Sequence, residues 1–246
     1  RAGNTPQTFV DPFTGAETTV FAGNNHRIQL IRFGPAFGTS TTVVPTSGPT
    51  RTDQYLFLDV NRDGTHDPCV REGTTFYCDQ NLDGSHDWTF SMGGGGATWY
   101  GGGQTVCARW NDTFYCDATA DGITDTVSAI GNGGSDQYQF GADAAAVRYG
   151  STIYLDTDLN SVTNLAVTWP SSSSYPYYLA DMDGNGVVDL LYRVGNRFYV
   201  NTNNDGFSDW SFTYGASNGS DDYYFADIDG DGADDILVRR CLTVCN

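Results

Sequence analysis

Asp227-Ile228-Asp229-Gly230-Asp231-Gly232-Ala233-Asp234-Asp235 is the stretch from which the rest of the chain can be read. Oxygen-bearing side chains stand at positions 1, 3, 5 and 9 of this run, with glycine at position 6. Alternate residues of a tight loop turn their carboxylates inward, and glycine supplies the bend. Hard cations take about six to eight oxygens, so this spacing predicts a calcium cage.

The same grammar recurs at Asp59, Asn61, Asp63 and Asp67, at Asp79, Asn81, Asp83 and Asp87, and at Asp181, Asp183, Asn185 and Asp189. Two further loops depart from it. Asp117, Thr119, Asp121 and Asp125 have a hydroxyl at position 3, and Asn201, Asn203, Asp205 and Asp209 carry only two carboxylates. A seventh, Asp156, Asp158, Asn160 and Asn164, lacks the glycine and reads as degenerate. Calcium, about four to seven ions, is the expected cofactor.

An EF-hand needs flanking helices and a bidentate Glu at position 12. Here the first ligand follows apolar, aromatic and β-branched runs such as Tyr55-Leu56-Phe57-Leu58 and Phe76-Tyr77-Cys78, which predict strands. The loops come in pairs, at 59 and 79 and again at 181 and 201, so an even number of strands separates two hairpin turns on one edge of a sheet. Outward from the loops runs a repeat of roughly 40 to 46 residues, the period of a four-stranded propeller blade. One copy is Tyr177 to Gly215, with candidate strands Tyr177 to Ala180, Val187 to Arg193, Arg197 to Asn201 and Asp209 to Tyr214. Residues 55 to 94 repeat it, and residues 97 to 132 and 138 to 170 keep the second half while losing the first loop. Residues 8 to 45 read as a blade without metal, in which Gly23-Asn24-Asn25-His26-Arg27 parallels Gly195-Asn196-Arg197. The last copy, 223 to 246, stops after about three strands. The expectation is an all-β single domain over 1–246, a propeller of six four-stranded blades with five or seven as alternatives, its calcium loops on one face. Residues 53–246 carry the repeats, residues 1–50 are a divergent first blade or closure segment, and residues 1 to 8 are the candidate for the missing last strand.

The Asp-Xaa-Asp-Gly-Asp-Gly-Xaa-Xaa-Asp loops between strands resemble FG-GAP or VCBS repeats, the calcium-loop blades of integrin α-chain propellers and of certain lectins and secreted bacterial proteins. The resemblance covers residues 53 to 240. It implies calcium loops on one face and ligands at the other face or in the clefts between blades.

Composition agrees with an extracellular all-β domain. The 246 residues, 39% hydrophobic and 14% aromatic, suffice for one large core. No apolar run approaches a membrane span, and no signal peptide stands at Arg1, so a mature or excised form is expected and membrane insertion is not. A net charge of −18 argues against nucleic acid. Seven divalent ions would add about +14 and leave roughly −4, which assigns most of the acidity to metal ligation. All cations are arginine, and lysine chemistry is therefore excluded.

Cys69 and Cys78 have the same spacing as Cys107 and Cys116, and both pairs fall on the second and third strands of their blades, where cross-strand distances suit a disulfide. Cys241 and Cys245 clip the C-terminus or staple it to a neighbour. With no Cys-x-x-Cys pair a zinc site is not expected, and the bridges place the chain in an oxidising compartment.

No catalytic residue is assigned. His66 and His86 occupy position 8 of their loops, which predicts a structural role, and His26 lacks an acid partner. Calcium-bound carboxylates stay ionised and donate protons poorly. The tracts Gly93 to Gly96 and Gly101 to Gly103 read as inter-blade loops. Tyrosine recurs four residues before the first ligand, at Tyr55, Tyr177 and Tyr223, with Tyr138 in the corresponding place of another blade. Two readings stand open for these positions: packing between blades, or a platform that stacks sugar rings or anchors a protein. The function expected is a secreted, calcium-stabilised binding or adhesion module, lectin-like in recognising glycans or else binding an extracellular protein. The rival readings are a self-assembling structural subunit and a polysaccharide hydrolase or lyase.

Overall fold

The short apolar runs that flank the acidic loops all become strands, and every strand pairing is antiparallel. The computed structural model describes residues 54–81, 86–94, 96–131, 137–169, 174–214 and 222–241, together with three N-terminal strands at 7–10, 17–20 and 26–31. Four sheets contain four consecutive strands each. Blade 1 holds β4 (Gln54–Leu58), β5 (Asp67–Glu72), β6 (Thr75–Cys78) and β7 (Trp88–Ser91). Blade 2 holds β8 (Thr98–Gly102), β9 (Thr105–Trp110), β10 (Thr113–Asp117) and β11 (Thr126–Ala129). Blade 3 holds β12 (Gln137–Gly141), β13 (Ala144–Tyr149), β14 (Thr152–Asp156) and β15 (Leu165–Thr168). Blade 4 holds β16 (Tyr177–Ala180), β17 (Asp189–Val194), β18 (Arg197–Asn201) and β19 (Trp210–Thr213).

The six-blade expectation is corrected at both ends of the chain. The last repeat builds a three-stranded sheet from β20 (Asp222–Ala226), β21 (Asp235–Cys241) and β3 (His26–Ile31). Residues 8 to 45 do not make a blade of their own among the described residues. There β1 (Gln7–Val10) and β2 (Glu17–Val20) pair only with each other, and β3 leaves for the last sheet. The strand that completes that sheet is therefore His26–Ile31 and not residues 1 to 8. The register explains the choice, because Arg27 opposes Arg240 as Arg197 opposes Val194, so β3 takes the place of a third blade strand.

The first strands β4, β8, β12, β16 and β20 touch in turn, and β20 touches β4. Among the described residues, the buried side chains fall into five clusters, each joining two neighbouring sheets. One such cluster sets Tyr55, Phe57 and Val70 of blade 1 against Ala226 and Leu237 of the last sheet, which closes the propeller. Between blades 2, 3 and 4 the approach is backbone to backbone. A Cβ at Gly102 would come within 2.7 Å of Gly141 Cα, and one at Gly141 within 2.4 Å of the Leu179 carbonyl oxygen. Gly101 and Gly102 thus lie inside β8 and serve close packing, whereas Gly93, Gly94 and Gly96 do link β7 to β8 as expected.

Both hairpin disulfides are present, Cys69–Cys78 and Cys107–Cys116, each with Cα atoms 4.1 Å apart. The Asp79 amide donates to the Pro68 carbonyl at 3.1 Å, which makes Cys69 and Cys78 a non-hydrogen-bonded pair, the closer of the two antiparallel spacings. The side chain of Cys241, and Cys245 altogether, lie outside the described residues.

Candidate cation loops and aromatic positions

Each acidic loop joins the first strand of a blade to the second, or the third to the fourth, so all of them sit on one edge of the ring. Asp83 lies outside the described residues, while Asp79 and Asn81 follow β6 and Asp87 precedes β7. The other six share one hydrogen-bonded frame. In the Asp181 loop, the position-1 carboxylate accepts from the amides of Gly184 at 2.9 Å, Asn185 at 3.1 Å and Gly186 at 2.7 Å. The position-5 side chain of Asn185 accepts from Val187 N at 2.7 Å, and the position-9 carboxylate of Asp189 accepts from Met182 N at 2.7 Å. Asp59, Asp117, Asp156, Asn201 and Asp227 open loops that repeat the position-1 bonds. Asp67, Asp125, Asn164, Asp209 and Asp235 repeat the position-9 bond.

Two backbone positions in every frame are left-handed. Position 6 is Gly64, Gly122, Gly186, Gly206 and Gly232, with Ser161 at φ 70° in the degenerate loop. Position 4, which the sequence did not flag, holds Arg62, Ala120, Leu159 and Asn204 as well as Gly184 and Gly230. Glycine at position 6 also admits the neighbouring blade, since a Cβ at Gly122 would stand 2.3 Å from the Ser91 carbonyl oxygen. The Asp156 loop keeps its shape by another route. The Ser161 hydroxyl accepts from Ala129 N at 2.9 Å, and Asp156 accepts the buried Ser128 hydroxyl at 2.5 Å.

Carboxylate oxygens converge most closely in two loops. Asp181, Asp183 and Asp189, and likewise Asp227, Asp229 and Asp235, each bring one oxygen within 4.8 Å of the others. Asp189 is fully buried, and its Oδ1 has no hydrogen-bond partner. Burial, reinforced by Asp183 and Asp181, pushes its carboxyl up to about 8. Asp67 is pushed up to about 7 by burial and then by Asp63, Asp59 and Asp79. Asp63, by contrast, is held below its usual range by the Thr65 hydroxyl and amide. A buried carboxylate with an unmet oxygen among like charges fits a hard divalent cation, and an all-oxygen donor set favours calcium over zinc.

The tyrosine platform is corrected. Tyr55, Tyr138, Tyr177 and Tyr223 are 1–9% exposed and pack inside the inter-blade clusters, because the first strand of each blade is covered by its neighbours. The Tyr177 hydroxyl donates to the Gln137 carbonyl at 2.9 Å. An arginine from the preceding blade covers the ring at most of these boundaries. Arg71 lies 5.3 Å from the Trp99 centroid, Arg109 4.1 Å from Tyr138, Arg148 5.0 Å from Tyr177 and Arg193 4.4 Å from Tyr223. A sequence signal for this existed. Arg71 and Arg193 each stand four residues after position 9 of a loop, Asp67 and Asp189.

Aromatic surface appears elsewhere. Trp110 and Tyr149 end β9 and β13 at equivalent places, on the edge opposite the loops, and are 53% and 64% exposed. On the loop edge, Ile123, Val162 and Phe207 occupy position 7 of three successive outer loops and are exposed. Among the described residues no helix is long and apolar enough to cross a membrane.

No family model and no characterised protein matches the chain. Among solved structures, the Photorhabdus luminescens Tc holotoxin pore is similar over 98% of this chain at 15% identity and a TM-score of 0.47, and this chain spans 14% of that one. An Agrocybe aegerita lectin recognising non-reducing terminal N-acetylglucosamine is similar over 96% of this chain and 74% of its own, at 13% identity and a TM-score of 0.46. BamB from Moraxella catarrhalis is similar over 95% and 78%, at 14% identity and a TM-score of 0.35. At identities and scores this low, none of them bears on ligand or activity.

Proposed function

We propose that the chain is a secreted, calcium-stabilised binding module of the FG-GAP/VCBS kind, and that glycans are its favoured ligand. The observation that carries the recognition half is the exposure of Trp110 and Tyr149 at matching positions of neighbouring blades. Sugar rings stack their C–H faces on such indole and phenol surfaces. Asn111 and Asp112 follow Trp110 in the turn and offer polar groups for sugar hydroxyls. Cations belong to the other edge, where they hold the hairpins, and the two hairpin disulfides fit an oxidising compartment. Carboxylates committed to that role are poor proton donors, which favours binding over turnover.

A glycan array run with the intact chain, with and without excess EGTA, tests the reading. Trp110→Ala and Tyr149→Ala should each remove binding and leave the melting temperature nearly unchanged. A folded, calcium-loaded chain that is blank across the array would reject glycans as the ligand. If each loop binds with a dissociation constant near 0.1 mM, about 1 mM calcium contributes roughly 1.4 kcal/mol per site, so EGTA should lower the melting temperature clearly.

The exposed row of Ile123, Val162 and Phe207 favours a second reading, a protein partner or another copy of the chain on the loop edge. Association that grows with concentration in light scattering, and disappears in Phe207→Ser, would support it.

A further inference from the structure

Three acidic loops are tied across blade boundaries through the same position. His66 is position 8 of the Asp59 loop in blade 1. Its amide donates to the Asp227 carbonyl at 2.6 Å, and the Asp227 amide donates back to His66 Nδ1 at 2.8 Å. Asp234 is position 8 of the Asp227 loop. Its amide donates to the Asp181 carbonyl at 2.6 Å, and the Asp181 amide donates back to Asp234 Oδ2 at 2.8 Å. Each tie therefore joins position 8 of one loop to position 1 of the next, by a pair of bonds of matching length. The side chains differ in kind, histidine in one case and aspartate in the other, yet both present an acceptor to the same amide. His86, at position 8 of an outer loop, packs its ring on Tyr77 at 5.2 Å instead.

We infer that the Asp59, Asp227 and Asp181 loops take up divalent cations as one linked unit, with His66 and Asp234 as positioning residues for the first ligand of the neighbouring loop. The inference rests on the calcium reading given above. That reading has its own support at one end of the chain of ties, where fully buried Asp189 leaves Oδ1 without a partner. Position 8 is covalently next to the position-9 ligand, and position 1 accepts more of the loop's amide bonds than any other position. A cation gripping positions 1 and 9 thus fixes backbone at both ties of the Asp227 loop and at the single tie of the Asp59 and Asp181 loops. The neighbouring loop then has less ordering left to do when its own cation arrives, which makes the coupling favourable.

Calcium alone is the probe. In the 15N-labelled full chain, the amides of Gly64, Gly232 and Gly186 report the three linked loops, and Gly206 reports an outer loop of blade 4. In the native chain the first three should share one midpoint with a slope steeper than independent binding. Asp183→Asn alters an exposed ligand of the Asp181 loop, and it should weaken binding at Gly232 and Gly64 by roughly fivefold or more while Gly206 keeps its midpoint. Asp234→Ala should uncouple Gly186 from the other two, and Asp234→Asn, which keeps an acceptor oxygen, should restore the link. Should Asp234→Ala fail to fold, Asp183→Asn decides alone. Midpoints at Gly232 and Gly64 that stay within about twofold of the native chain in Asp183→Asn would overturn the linkage and leave calcium binding standing. Resonances that ignore calcium altogether would instead overturn the calcium reading, and the linkage with it.

Discussion

A fully buried carboxylate with an unmet oxygen is costly unless a cation meets it, and Asp189 is in that position. Its consequence is a pH dependence with a definite sign. Burial pushes the folded carboxyl up to about 8 from an ordinary value of 3.8. Between those values the native chain holds a proton that the unfolded chain has released, so stability is full at the acid end and falls as pH rises through the window. In excess chelator the melting temperature should therefore decline from about pH 4 to about pH 8. Calcium should flatten the decline, and so should Asp189→Asn without calcium. A chelated chain whose melting rises with pH across that range would contradict the assignment. The loop frame itself was legible in the sequence because a nine-residue loop is local: the side chains at positions 1, 5 and 9 bond to amides a few residues away. Position 4 was not legible, because Arg62, Ala120, Leu159 and Asn204 adopt the left-handed conformation under the compulsion of the frame and not by their own preference.

The four strands of blade 4 were read to within two residues of their ends, the other blades were read as repeats of it, and both disulfides followed from a shared spacing. What escaped was which side of each strand meets a neighbour. Alternation says that two faces differ, but in a propeller both faces of a blade are covered, so the tyrosines of the first strands vanished into the clusters. Arginine is what the boundaries use to cover them. Arg148 is buried, donates to the Tyr175 carbonyl at 2.5 Å and to Gln137 Oε1, and lies over the Tyr177 ring. Lysine keeps the charge but loses the planar fork that makes these contacts together. Arg148→Lys should cost about 1–3 kcal/mol, measured by chemical denaturation with calcium present. An unchanged denaturation midpoint would mean that charge alone suffices there.

Closure of the ring is the feature least accessible from sequence, because it pairs residues near opposite ends of the chain. The pairing runs from Ile236 with Ile31 to Cys241 with His26, and it gives β21 a partner on its second side. Without β3 the last sheet has two strands, and β21 becomes an edge whose amides and carbonyls can pair with another chain. Two truncations separate the role of β3 from that of the hairpin before it. Removing residues 1–20 deletes β1 and β2, which pair only with each other among the described residues, and should leave melting and association state close to those of the full chain. Removing residues 1–31 also deletes β3, and should lower the melting temperature and produce association that grows with concentration. The effect should persist in saturating calcium, since a cation taken up by the turn between β20 and β21 would hold that hairpin but could not supply the backbone partners that β21 has lost. If the longer truncation associated no more than the full chain and melted with it, the ring would be held by the side-chain clusters between blades, and β3 would be an accessory to closure.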